Sequence, residues 1–385
     1  MRERIQRLRK ATLEAVPRLS MERALLLTAC VESPACAREP VPVQRAMAFR
    51  HILANKELYV GPDEMFVGER GPAPAAVPTY PEICVHSAAD LDVLDSREKV
   101  FYRVDPGARR QHLERVEPFW RGRAQRDRMF RELPPEWIAA YEAGVFTEFM
   151  EQRTPGHTTL GGTIYRRGLL DLKAGIARAI AALDFDRDPA ALDRRDELRA
   201  MDIAADAMIA YAARYAETLD TLAAAEADPA RRAELARMAE ICRRVPAHAP
   251  RTFREALQAY WFVHVGVITE LNPWDSFNPG RLDQHLWPFF ERERAAGTLD
   301  VEDAREMLQA FWVKFHNHPA PPKVGVTAQE SGTYTDFTLI NTGGVRPDGT
   351  DAVNDLSYLI LDVIEEMRLL QPGSMIQVSK KNPDA

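Results

Sequence analysis

Residues 154–162 read TPGHTTLGG and present a single histidine, His157, between a Pro-Gly turn and two glycines. Pro155 keeps the preceding residue out of the helical region, while Gly161 and Gly162 permit positive φ or a close backbone approach. Imidazole gains and loses a proton near neutral pH. The pattern indicates a loop that presents one acid–base group. The alternative is a histidine that hydrogen-bonds to the loop backbone.

A carboxylate, Asp275, follows the most apolar run of the chain, in TELNPWDSFNPGR at 269–281. Its neighbours include Trp274, Phe277 and two prolines, which favour partial loss of solvent. A carboxylate in such surroundings needs a partner or takes a raised pKa. The alternative is a helix cap, since Asp is common there and another helical pattern follows closely.

Hydroxyl side chains and one carboxylate precede an apolar run in ESGTYTDFTLINTGG at 330–344. Ser331 and Asp336 could bind the polar groups of a small ligand, and Phe337 could supply an apolar wall. The alternative is an ordinary polar turn. Together with His157 and Asp275, these residues suit acid–base assistance to a polar leaving group.

Other chemistries find no support in the sequence. It has no glycine-rich nucleotide loop after a strand, no H-E-x-x-H and no nucleophile with an adjacent base. The HNH at 316–318 ends a helical pattern, and we expect a solvated helix terminus there rather than a metal site. We therefore expect neither a bound metal nor a bound organic cofactor.

The bulk properties are those of a soluble protein. The chain has 385 residues, with 50 basic and 57 acidic side chains giving a formal charge of −7. A net negative charge of this size gives no electrostatic basis for binding nucleic acid or an anionic membrane. The apolar run 256–271 is too short to cross a bilayer and predicts a buried helix. The N-terminus lacks the apolar core of a signal peptide, so we expect a cytoplasmic location.

Helical periodicity dominates the chain and a few strand-like runs appear late. The sequence predicts an irregular segment at 57–85, rich in Pro and Gly. Strands are expected at 323–327, 336–344 and 374–379, and the helix at 352–369 between the last two favours parallel pairing. Helices are expected at 3–16, 20–32, 41–55, 90–102, 108–131, 134–149, 165–184, 194–227, 229–244, 252–271, 281–296 and 302–317.

The motifs above, with KVGVTAQESGTYTDFTLINTGG, GERGPAPAAVPTYPEIC and the closing QVSKKNPDA, resemble the glycyl radical enzymes, the pyruvate formate-lyase-like group. The resemblance covers nearly the whole chain. It implies the N-terminal half of a ten-stranded α/β barrel surrounded by helices. Residues 1–150 would form a mostly helical outer layer, and 151–385 would add further helices and the first barrel strands.

The resemblance also implies an activity and a set of roles. His157, Asp275, Ser331, Asp336 and Phe337 match the pocket pattern of the branch that removes water from trans-4-hydroxy-L-proline to give pyrroline-5-carboxylate. His157 and Asp275 would be catalytic, and the other three would bind substrate. Another lyase of the family, acting on a diol or cleaving a C–S or C–N bond, remains an alternative.

Family chemistry is carried by a protein-based glycyl radical and a cysteine thiyl radical. A partner enzyme that uses S-adenosylmethionine installs the glycyl radical, and the resemblance also implies a homodimer. None of the four cysteines, Cys30, Cys36, Cys84 and Cys242, lies in the expected cysteine motif, and the C-terminal glycyl radical domain is absent from this sequence. We expect this chain to be inactive by itself, or to be a non-catalytic fragment.

Overall fold

The computed structural model describes residues 1–146, 160–271, 278–330, 334 and 338–382. In these ranges the protein has the predicted helix-rich α/β fold. A short π-helical turn spans His112–Val116. The first nine helices are α1 (Glu3–Glu14), α2 (Glu22–Glu32), α3 (Pro34–Ala37), α4 (Val41–Asn55), α5 (Ala88–Ser96), α6 (Pro106–Gln111), α7 (Glu117–Trp120), α8 (Gln125–Glu132) and α9 (Pro135–Glu142).

The second part of the chain holds the longer helices. α11 and α13 are the two that pack most extensively in the core, and a 3-10 turn, Gly161–Thr163, precedes them. The helices are α10 (Leu169–Ala181), α11 (Ala191–Ala225), α12 (Pro229–Arg244), α13 (Phe253–Glu270), α14 (Leu282–Ala295), α15 (Val301–His316), α16 (Gly325–Glu330) and α17 (Asp355–Met367).

Two small parallel sheets complete the described fold. β1 (Arg18–Ser20) pairs with β2 (Ala76–Pro78). β4 (Leu339–Gly343) lies between β3 (Gly280–Arg281) and β5 (Gly373–Gln377). The predicted parallel pairing of the two late strands around a helix is confirmed, because α17 connects β4 to β5. β1, β2 and β3 were not predicted, since two or three residues are too few to show a period of two.

The apolar run 256–271 forms α13, a helix buried on nearly all sides, as predicted. Its Gln258 side chain pairs with both the amide and the carbonyl of Val67 at 3.0 and 2.9 Å, and Trp261 Nε1 donates to the Gly68 carbonyl at 2.8 Å. The irregular segment 57–85 is therefore fastened to the central helix. Among the described helices, none is both long and apolar enough to cross a membrane.

Two predicted elements are corrected. The expected strand at 323–327 is wrong, because α16 begins at Gly325, whose φ of +61° does not fit a strand. Its first amides are capped by Asp90 Oδ1 at 2.7 Å and by the Tyr141 hydroxyl at 3.2 Å. The expected single helix at 108–131 is interrupted: a π-helical turn precedes α7, whose second residue is Pro118, and the helical run ends at Trp120, before Gly122 takes a φ of +74°.

Two glycines, Gly168 at the N-cap of α10 and Gly175 within that helix, test the packing directly. A Cβ on Gly168 would lie 2.2 Å from the Ala247 carbonyl oxygen, whereas a Cβ on Gly175 would meet nothing closer than 4.0 Å. We expect Gly168→Ala to lower the free energy of unfolding by about 1–3 kcal/mol through overpacking. The matched control Gly175→Ala should raise it by about 0.5–1 kcal/mol through helix propensity. Urea unfolding of both variants checks this, and equal effects would contradict the packing described here.

Candidate active site

The five predicted site residues lie outside the described residues. His157 falls in 147–159, Asp275 in 272–277, and Ser331, Asp336 and Phe337 in 331–333 and 335–337. Their roles therefore stay predictions. The described residues on either side of these segments define where each segment is attached to the fold.

Tyr334 is the described residue between the two short segments that hold Ser331, Asp336 and Phe337. Its hydroxyl donates to the His316 carbonyl at 2.8 Å, and its ring stacks on His316 with 4.9 Å between centroids. The Tyr334 carbonyl accepts from the Ala320 amide at 2.7 Å. The middle of the SGTYTDF motif is thus fixed to the end of α15. The sequence alone grouped Tyr334 with the polar cluster and gave no sign of this contact.

The segments of Asp275 and Phe337 end beside each other. Asn278, the first described residue after 272–277, accepts from the Leu339 amide through Oδ1 at 2.7 Å. Gly280 and Ile340 then pair in the parallel β3–β4 sheet. Because parallel strands begin at the same edge of a sheet, the two predicted pocket segments enter the fold next to one another.

The segment of His157 ends against the helix that follows β3. Gly161 takes a φ of +48°, and a Cβ on Gly162 would lie 3.3 Å from the His285 ring. The two conformational uses predicted for these glycines, positive φ and close approach, are confirmed. His285 of α14 stacks on Tyr165 at 5.3 Å, and burial lowers the pKa of His285. All three predicted segments are therefore attached near the β3–α14 unit.

A buried carboxylate holds this unit together. Asp283 Oδ2 accepts from the Gly343 amide at 2.8 Å and from the Ser357 hydroxyl at 2.5 Å. Burial raises the pKa of Asp283, and these hydrogen bonds oppose that rise. Asp283 joins α14, the end of β4 and the start of α17. Its place among the apolar residues of α14 was the available signal, and it was missed.

The HNH motif is buried, so the expected solvated helix end is wrong. His318 Nε2 lies 2.6 Å from Glu69 Oε2, and Asn317 Nδ2 donates to Glu69 Oε1 at 3.2 Å. Lys314 contacts the same carboxylate and lies 3.2 Å from Glu64. Burial opposes ionisation of Glu69, but Lys314 and His318 lower its pKa to about 2. The described residues contain no group of three or more His, Cys, Asp or Glu arranged to hold a metal ion.

A cavity of about 820 Å³ lies between α4, α10, α11 and α13. Leu160 and Leu271, the described residues next to two of the predicted segments, contribute to its wall. The described lining is apolar except for four charged side chains, Arg45, Arg167, Glu197 and Glu270. The described part of this wall is therefore mainly apolar, and the polar groups predicted from the sequence lie outside the described residues.

All four cysteines are buried thiols. Cys30 and Cys36 lie among the packed helices α2 to α4, and Cys242 lies in α12. Burial, with a smaller contribution from Cys36, raises the pKa of the Cys30 thiol to about 12. A high pKa keeps a thiol unreactive.

Residues 1–385 match the family described as pyruvate formate lyase-like, and the chain belongs to that family. It is 51% identical over 381 residues to the trans-4-hydroxy-L-proline dehydratase of Clostridioides difficile, covering 99% of this chain and 48% of that protein. The crystal structure of hydroxyproline dehydratase from the same organism, with trans-4-hydroxy-L-proline bound, superposes with a TM-score of 0.95 at 50% identity, covering 100% of this chain and 48% of that one.

A more distant relative performs a different reaction. The isethionate sulfite-lyase of Nitratidesulfovibrio vulgaris is 30% identical over 378 residues, covering 96% of this chain and 45% of that protein. The chain thus spans about half the length of the curated relatives it matches. The resemblance to glycyl radical enzymes inferred from the motifs is confirmed, as is the fold that it implied.

The burial of His316, the histidine that contacts Tyr334, predicts that the stability of the fold depends on pH. Burial, and to a lesser extent Arg9, lowers the pKa of His316 to about 4. The unfolded chain, with an ordinary histidine pKa of about 6.5, therefore binds this proton first as the pH falls. As the pH falls from about 6.5 to about 4, the free energy of unfolding should accordingly decrease.

His316→Gln should flatten that slope by about 1 kcal/mol per pH unit between about pH 5 and pH 6. Urea unfolding at several pH values measures it. The exposed His248→Gln is the matched control, and the expected flattening is the difference in slope between the two variants. Equal slopes in wild type and His316→Gln would show that His316 is not held neutral in the folded protein.

Proposed function

We propose that this chain forms part of a glycyl radical dehydratase that converts trans-4-hydroxy-L-proline to pyrroline-5-carboxylate. The observation that carries the proposal is the 51% identity to trans-4-hydroxy-L-proline dehydratase over 99% of the chain, against 30% to isethionate sulfite-lyase. The SGTYTDF and NPWDSF motifs support the same branch. The attachment of their segments at neighbouring strand starts is consistent with one shared pocket.

His157 would donate a proton to the leaving hydroxyl group, so that the C–O bond breaks with loss of water rather than hydroxide. Asp275 would orient His157 or bind the substrate ammonium. Ser331 and Asp336 would hold the polar ends of the substrate, and Phe337 would pack on its ring. The protein-based radical of the family, installed by an activating enzyme that uses S-adenosylmethionine, would supply the hydrogen abstraction.

The proposal also covers the oligomeric state, the location and the partners of the enzyme. We infer a homodimer that meets its activating enzyme in the cytoplasm, with no membrane or nucleic-acid partner. Radical chemistry needs a site that excludes water and competing reactions. Since the chain spans about half of its relatives' length, the remaining wall of the pocket would come from the part of the relatives that this chain does not match.

The test uses the complete protein, activated under anaerobic conditions, with the radical quantified by electron paramagnetic resonance. Incubation with trans-4-hydroxy-L-proline should yield pyrroline-5-carboxylate, detected by mass spectrometry. Parallel incubations with isethionate and with 1,2-propanediol test the other lyase activities. Turnover of one of those substrates alone would replace the proposed reaction. A protein that carries the radical but turns over none of the three would remove the proposal.

Two variants test the roles of the acid–base pair. His157→Gln and Asp275→Asn should each lower kcat by about 100-fold or more, because positioned proton transfer contributes about 10²–10⁴ to a rate. Unfolding midpoints should stay near the wild-type value. The exposed His248→Gln and Asp186→Asn serve as matched controls and should keep normal turnover. Near-normal kcat in either test variant would remove that residue from the mechanism.

A further inference from the structure

The C-terminal end of α13 leads directly into residues 272–277, the segment that holds Asp275. The last turn of α13 contains no basic residue. The final carbonyls of a helix lack partners within the helix and carry partial negative charge. The Leu271 amide donates to the Val267 carbonyl, and the next three carbonyls, from Ile268 to Glu270, are bound by side chains of other elements.

Arg23 of α2 binds two of these carbonyls. Arg23 Nε donates to the Thr269 carbonyl at 2.6 Å, and Nη2 reaches the Glu270 carbonyl at 3.4 Å. Its Nη2 and Nη1 also bind both Glu82 oxygens at 2.6 and 3.2 Å, and Nη1 donates to the Thr79 carbonyl at 3.3 Å. All five N–H groups of the guanidinium are therefore used.

The surroundings keep this guanidinium charged and fixed. Its side chain is 3% exposed and lies over the Tyr80 ring at 4.0 Å. The Tyr80 hydroxyl itself donates to the Ile268 carbonyl. Burial alone would lower the pKa of Arg23, but the charge and hydrogen bonds of Glu82 hold it above its usual value. Three successive carbonyls of the α13 end are thus bound by Arg23 and Tyr80.

We propose that Arg23, held by Glu82 and Tyr80, is a positioning residue that sets where the Asp275 segment leaves α13. This inference rests on the proposed role of Asp275. The position of Leu271 fixes the start of a path of four residues to Asp275. Without the hydrogen bonds of the Arg23 guanidinium, the C-terminal end of α13 would fray, and the Asp275 carboxylate would move. A displacement of about 1 Å at a reacting group can cost about 100-fold in rate.

The experiment compares two buried arginines at opposite ends of the same helix, in the complete protein. Arg23→Lys keeps the charge but loses the planar fork. Arg254, in the first turn of α13, also donates to a backbone carbonyl, that of Met65 at 3.0 Å, with 11% of its side chain exposed. Arg254→Lys is therefore the matched control.

Arg23→Lys should lower kcat/KM for trans-4-hydroxy-L-proline by about tenfold or more, and hydrogen exchange of amides 271–277 should be faster. Arg254→Lys should keep turnover within about twofold of wild type and leave that exchange unchanged, with a similar shift of the unfolding midpoint. Equal effects of the two variants on turnover or on exchange would overturn the proposal. If wild type fails to dehydrate this substrate, the proposed function fails, and the exchange comparison still decides whether Arg23 fixes the segment.

A double-mutant cycle separates positioning from general destabilisation. If Arg23 acts through Asp275, Arg23→Lys should change the residual rate of the Asp275→Asn enzyme by less than about twofold. Arg254→Lys should have the same small effect in both backgrounds. A tenfold loss from Arg23→Lys in the Asp275→Asn background would show that Arg23 acts by another route, and would overturn the positioning role.

Discussion

The burial of one carboxylate, Glu69, constrains the arrangement of the whole described fold. It is fully buried, and an unpaired charge there would cost several kcal/mol. Lys314 and His318, at the end of α15, pair with the Glu69 carboxylate. The Lys56 ammonium donates to the backbone carbonyl of Glu69 at 2.5 Å. These partners, together with Gln258 and Trp261 of α13, hold the irregular segment 57–85 where it crosses the helical core.

The same network reaches the predicted site through a short path. Asn317, which binds Glu69, accepts from Thr12 of α1 at 2.7 Å, and Thr12 also contacts His316 Nδ1 at 3.0 Å. His316 carries the stacked ring and the hydroxyl of Tyr334. α1, Glu69 and Tyr334, which lies in the segment predicted to bind substrate, are therefore parts of one hydrogen-bonded unit, although they are far apart in the sequence.

Sequence patterns predicted the elements with long periodic signals and missed those decided by distant contacts. The apolar periodicity of α13 and the turn residues of 57–85 were informative, because burial and backbone freedom are local properties. The strand expected at 323–327 was wrong because Asp90 and Tyr141, far away in sequence, cap a helix there instead. Apolar residues alone do not distinguish a short buried strand from a short buried helix.

The predicted site residues and the residues around them differ in the same way in how far the sequence reveals them. Motifs identified the segments that carry His157 and Asp275, since a Pro-Gly turn or a carboxylate among aromatics is visible in the sequence. The residues that hold those segments, such as Asn278, Arg23 and Tyr334, bind mainly backbone amides and carbonyls of distant elements. Such contacts leave no signature in composition or spacing, because any residue supplies the backbone partner. Candidate reactive groups can thus be proposed from residue type, whereas the residues that hold the neighbouring backbone become visible only in the folded chain.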